Sequence, residues 1–144
     1  MSYSDLWKVV RYLALLRLAG EYRRLLALKL LSEGHSPSEA ESLTGLSKYV
    51  CRGVYQRVQQ RLRRHEAVTE LMRRIWRPLI SEVEPIIIRI DSLAWCMLCN
   101  KRLTTNPTDI YNHIRSAHRE YLLDITNRLY EAVIREREEE GDIR

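Results

Sequence analysis

Residues 95–121 read WCMLCNKRLTTNPTDIYNHIRSAHREY, and the reading of this stretch decides the fold of the C-terminal half. Two of the chain's three cysteines and two of its four histidines fall inside it. Their spacing is C-x2-C-x13-H-x4-H, with Cys96 and Cys99 in one tight turn and His113 and His118 on one helix. Two thiolates and two imidazoles supply the four sulfur and nitrogen ligands that Zn2+ takes in a tetrahedral shell. A buried cysteine pair with surface histidines is the plain alternative, and a redox C-x-x-C is another, although the βαβ context of the latter is missing.

The filler positions carry a resemblance. Leu103, four after Cys99, and Ile110, three before His113, stand where the two-Cys, two-His zinc finger family places apolar residues, and Asn106-Pro107 opens a helix at that family's usual distance from the cysteines. Residues 94–118 therefore resemble a zinc finger. The resemblance implies a ββα unit in which Leu103 and Ile110 close a small core and Cys96, Cys99, His113 and His118 hold the metal. Four protein ligands leave no place for water or substrate, so such a metal is structural. Three departures stand out: Ala94 replaces the usual aromatic, the stretch between ligand pairs is one residue longer than most, and no second finger follows. Histidines five apart span about 500° of an ideal helix, which predicts a local distortion near Ser116. By family correspondence the base-facing positions are Asn106, Thr108, Asp109 and Asn112, none of them basic. A clamp or a protein-binding knob is the expected role, with Arg115 and Arg119 as phosphate contacts.

Upstream, apolar periodicity predicts a helix over residues 5–18 with Ser4 as N-cap, then a helix from Glu21 to Ser32 buried on two sides and closed by Gly34. Ser36 and Glu39 form a capping box with Pro37 at the first helical position. That short helix runs to about Thr44, and Ser47 caps another from Lys48. Val54, Val58, Leu62, Val68, Leu71, Met72, Ile75 and Leu79 then keep a three-four spacing, as a long connecting helix would, until Pro78 kinks or ends it. Ile86 to Ile90 predict a strand leading into the cysteines. An apolar stripe at Leu122, Ile125, Leu129 and Val133 carries the final helix past His118, until EREEEGD dissolves it into an acidic tail.

Gly45, Leu46, Ser47, Cys51 and Val54, within ESLTGLSKYVCRGV, occupy the turn and core positions of the helix-turn-helix family, which residues 36–58 resemble; Glu41 stands where that family prefers alanine. The resemblance implies that the helix from Lys48 enters the major groove. With Cys51, Val54 and Val58 inward, the DNA-facing candidates are Ser47, Lys48, Tyr49, Arg52, Gln56 and Arg57.

The expected architecture is mainly α: a helical DNA-binding domain with its connecting helix (1–84), the zinc finger (85–120), and a helical extension with acidic tail (121–144). Charge divides the same way. Residues 1–80 hold 15 Lys and Arg against 7 Asp and Glu, whereas residues 81–144 hold 9 against 12, so the basic surplus that a polyanion would meet lies in the N-terminal half. No charge-free run approaches a membrane span, no secretion signal is read, and three cysteines suit a reducing, cytoplasmic, nucleoid-associated setting better than a disulfide scaffold. No nucleophile with a neighbouring base and no phosphate-cradling glycine loop points to an enzyme. The expected function is a sequence-specific transcription regulator that binds double-stranded DNA as a homodimer, loosely similar to small regulators of archaea and their viruses. The rival is an adaptor whose finger docks on a protein such as RNA polymerase while its arginines serve RNA.

Overall fold

Helix α1 (Tyr3–Leu18) is buried along two stripes, and this double burial organises the molecule. A computed structural model describes residues 3–63, 70, 73–75, 79 and 86–143, with side chains described from 5 to 135 within those ranges. The chain is mainly helical, with a small antiparallel sheet before the C-terminal helices. Leu6, Val9, Val10, Leu13 and Leu16 of α1 join Leu25 and Leu28 in one core, while Ala14, Leu15, Leu18 and Ala19 join the sheet and the C-terminal helices in another.

Helix α2 (Tyr22–Ser32) shows the expected two-sided burial: Leu25 and Leu28 face α1, and Ala27, Leu30 and Leu31 face Ala40 and Cys51. Gly34 closes it at φ 98°. In α3 (Pro37–Thr44) the capping box forms as expected, Ser36 accepting from the Glu39 amide at 3.1 Å and the Glu39 carboxylate accepting from the Ser36 amide at 3.1 Å. Gly45 takes the left-handed conformation, φ 76°, that lets the chain reverse into α4 (Lys48–Leu62) without a Cβ clash. The first helix differs slightly from expectation. It begins at Tyr3, so Ser4 lies in its first turn instead of preceding it.

Most of the connecting helix expected after Leu62, including Val68, Leu71 and Met72, lies outside the described residues. Val54, Val58, Leu62, Ile75 and Leu79 are buried in the chain's own core. Those five apolar residues are thus satisfied within one chain rather than held for a second copy.

The sheet exceeds the ββα expectation by one strand. Strand β1 (Ile87–Ile90) pairs antiparallel with β2 (Leu93–Cys96), which pairs with β3 (Lys101–Thr104). Ile90 stands opposite Leu93, so Asp91 and Ser92 alone make the turn, with Asp91 at φ 56°. Asp tolerates that region better than most residues, and two such residues between β-branched and aromatic runs make a hairpin instead of one continuous strand. Arg89 fastens β1 to the α1–α2 turn, donating to the Ala19 carbonyl at 3.1 Å and to Glu21 at 3.2 Å.

Two further expectations about the C-terminus are corrected. The final helix is two helices, α5 (Pro107–Ala117) and α6 (Arg119–Ile143), broken at His118 (φ −125°, ψ 37°). The acidic run does not dissolve α6, whose backbone is helical through it; Glu and Arg are strong helix formers and need no apolar stripe to remain so. Leu122, Ile125 and Val133 are buried as expected, and α6 packs along α1, with Tyr130 edge-on to Trp7 at 5.4 Å.

Candidate metal centre

Each ligand position follows from a local signal. The β2–β3 turn holds Cys96 and Cys99, and Asn100 relieves it by taking a φ of 58°. The Met97 amide donates to the Ile86 carbonyl at 2.8 Å, tying the turn to the start of β1, and the Cys96 sulfur accepts from the backbone amides of Leu98 and Cys99. Helix α5 starts where the sequence requires: Asn106 Oδ1 accepts from the Thr108 amide at 2.9 Å, and Pro107 follows. His113 and Ile114 are buried on its inner face. The break at His118 then turns the second imidazole back toward the first. Ser116 prepares it, its hydroxyl donating to the carbonyls of Asn112 (2.8 Å) and His113 (3.4 Å), a back-bond that loosens a helix turn. The distortion expected near Ser116 thus falls two residues later.

All four donor atoms lie within 4.8 Å of one another, close enough to bind one metal ion. His113 Nε2 to His118 Nε2 is 3.2 Å, Cys96 Sγ to His118 Nε2 is 3.1 Å, and Cys99 Sγ to His113 Nε2 is 3.4 Å. An ion about 2.05 Å from each nitrogen and about 2.3 Å from each sulfur sets tetrahedral edges of about 3.3 Å for the nitrogen pair and about 3.6 Å for the sulfur–nitrogen pairs. These three distances come within about half an ångström of the edges a tetrahedral ion sets. Cys96 is fully buried and His113 nearly so, whereas Cys99 is exposed. Burial pushes the Cys96 thiol up against the pull of its amide donors. Burial, with His118 and Lys101 nearby, lowers His113 and favours the neutral imidazole a metal requires.

The core behind the site is shared. Ile110 is fully buried and Leu103 packs beside it, as expected, but Ile87, Ile114, Leu122, Ile125, three residues of α1 and Ala19 after it belong to the same cluster. That neighbourhood accounts for Ala94. It is fully buried in this cluster, and an aromatic there would displace its neighbours. Asn106 caps α5 and Asp109 accepts from Thr104 Oγ1 at 2.6 Å, so two of the four family-derived base-facing positions have local partners. Thr108 and Asn112 are exposed.

Away from the metal residues, α4 presents the expected faces. Cys51, Val54 and Val58 are buried, and Tyr49, Arg52 and Gln56 are exposed, with Lys48 half-buried over the Tyr49 ring. Ser47 caps the helix by accepting from the Val50 amide at 3.2 Å. Arg57 departs from the set: it turns toward α1, stacking over Tyr12 at 5.5 Å. Sequence reasoning also missed two residues of the α3–α4 turn. Buried Thr44 accepts from the Leu46 amide at 3.2 Å, and Glu41, noted only as a departure, accepts from the Lys48 amide at 3.3 Å as a second cap. The exposed Leu43, Tyr49 and Val50 surround this turn. Comparison with protein-family models, with curated proteins and with solved structures returns no match. No described helix is long and apolar enough to cross a membrane.

Proposed function

We propose that this chain is a sequence-specific, double-stranded-DNA-binding regulator whose metal is a structural zinc ion. The observation that carries the DNA reading is the outward face of α4: Tyr49, Arg52 and Gln56 project from a helix whose opposite face, Cys51, Val54 and Val58, is buried on α1, α2 and α3. A helix anchored behind a glycine turn, with its polar side open, has the form of a major-groove reader. Arg clamps guanine and Gln pairs adenine, each through two hydrogen bonds, and Lys48 at the helix start suits a phosphate. Two thiolates and two imidazoles are the donor set of structural zinc, and the ion fastens sheet to helix rather than doing chemistry. Two copies on a two-fold site are expected, since one such unit makes few base contacts.

Arg52→Ala tests this reading. On a duplex selected from a random pool it should cost about 1 to 3 kcal/mol, with little change on random duplex. Equal affinity of wild type and variant for selected and random duplexes would refute it. The exposed Met97 and Leu98 at the metal-site turn favour a second reading, an adaptor that docks a protein through this knuckle.

A further inference from the structure

Two clefts flank α1, and both are lined by cations. Between α1 and α4 a cleft of about 190 Å³ brings Lys8 together with Arg57 and Arg61. On the other side, between α1 and the α5–α6 junction, a larger cleft of about 320 Å³ gathers Arg11, Arg115 and Arg119 beside Trp7. All three of these arginines are exposed. The ion pairs among the described residues involve Arg61, Arg73, Arg89, Arg128 and His35, and none neutralises the three.

Sequence explains why. The helical neighbours of Arg11 at three and four residues are Trp7, Lys8, Ala14 and Leu15; those of Arg115 and Arg119 are Tyr111, Asn112, Ser116, His118, Leu122 and Leu123, besides each other. No carboxylate stands at any of those positions. Glu120 is exposed and does not line the cleft, and Asp5 is taken by Arg61 at 3.7 Å. Three like charges gathered without a counterion repel one another. An anion relieves that repulsion. Guanidinium forks match phosphate oxygens in pairs, so phosphate is the anion the cleft fits.

We propose that Arg11, Arg115 and Arg119 hold a backbone phosphate segment of the same duplex whose groove α4 enters, an inference that rests on the DNA reading above. A free phosphorylated molecule needs only one cleft. Here Arg11 is three residues from Lys8 on α1, and Lys8 shares its cleft with Arg57 and with Arg61, the partner of Asp5, on α4. The two clefts therefore form one positive track from α4 across α1 to the metal-bound unit, the shape a repeating polyanion requires. The metal acquires a part in binding: His118 is both its ligand and the break that turns Arg115 and Arg119 toward one cleft.

The test is the salt dependence of duplex binding by the full-length, zinc-loaded chain. Arg11→Ala/Arg115→Ala/Arg119→Ala should weaken selected and random duplexes by the same factor and lower the slope of log K against log salt by about 2 to 3, at about 0.9 per phosphate lost. The corresponding triple Lys variant should keep the wild-type slope, which separates lost charge from lost folding. If the wild type binds duplex and the triple Ala variant keeps its slope, the cleft assignment falls while the DNA reading stands. If the wild type holds no duplex, both fall. Should ATP quench tryptophan fluorescence in the wild type and not in the triple Ala variant, with the duplex slope unchanged, the cleft serves a free phosphorylated ligand and the backbone assignment is overturned.

Discussion

Leu18→Ala, on α1 and far in sequence from any metal ligand, is expected to weaken metal binding strongly. Leu18 is 3% exposed and belongs to the cluster of Ile87, Ala94, Ile110 and Ile114 that backs the metal site. Truncation removes three carbons, about 2.4 kcal/mol at roughly 0.8 kcal/mol per buried methylene. An unrelaxed cavity of about 70 Å³ adds up to about 1.7 kcal/mol at 24 cal/mol per Å³. The loss is therefore about 2.4 to 4 kcal/mol, within the usual range for a buried leucine. Where metal capture and docking on α1 are one event, that loss falls on the metal affinity, about 50- to 700-fold at 1.4 kcal/mol per decade. Competition of the full chain against a chromophoric chelator measures it, with helical circular dichroism checking that the N-terminal helices persist. A variant of reduced thermal stability whose metal affinity stays within about threefold of wild type, under 1 kcal/mol, would refute the shared core.

Two other substitutions probe buried and capping polar groups. The Tyr111 hydroxyl is buried with no hydrogen-bond partner among the described residues, and burial pushes its pKa up to about 12. Tyr111→Phe should raise thermal stability at neutral pH by about 1 kcal/mol; a loss would mean that the hydroxyl has a partner. Because the fold favours the neutral phenol, the wild type should keep its full tyrosine contribution below pH 10 and lose it as pH rises toward 12, a decline absent in the variant. Glu39 is held below the ordinary carboxylate value of 4.5 by its bonds to the Ser36 amide, His35 and the Ser36 hydroxyl. Its contribution is present above 4.5 and lost as pH falls through the depressed value, so the gap in denaturant midpoint between wild type and Glu39→Gln should close in acid, and a constant gap would contradict this.

Features that depend on a few neighbouring residues were legible in the sequence. Ser36 with Glu39, Asn106 with Pro107, Gly45 in its turn and the inward set Cys51, Val54 and Val58 are all local physics, and all appear as read. The four metal donors were legible because their spacing encodes a turn and a helix. What escaped depends on distant partners. Arg89 reaching the Ala19 carbonyl and Ala94 sharing a core with α1 are long-range features with no local signature, and the spacing that marked Ile75 and Leu79 as apolar did not say that they join the core of α1. The His118 break was foreseen in kind from the 500° argument, but its position depends on which carbonyls the Ser116 hydroxyl takes. Arg115 and Arg119 were read together as phosphate contacts; only the packing of α1 against the α5–α6 junction adds Arg11 to them.

The claim on which the rest depends is that one ion, held by Cys96, Cys99, His113 and His118, joins the sheet to α5 and α6. X-ray absorption on the natively purified chain, with metal quantified on the same sample, tests it most directly. The expected result is one zinc per chain with two sulfurs at about 2.3 Å and two nitrogens at about 2.0 to 2.1 Å. A metal-free, folded chain, or a zinc shell built of oxygen, would contradict it.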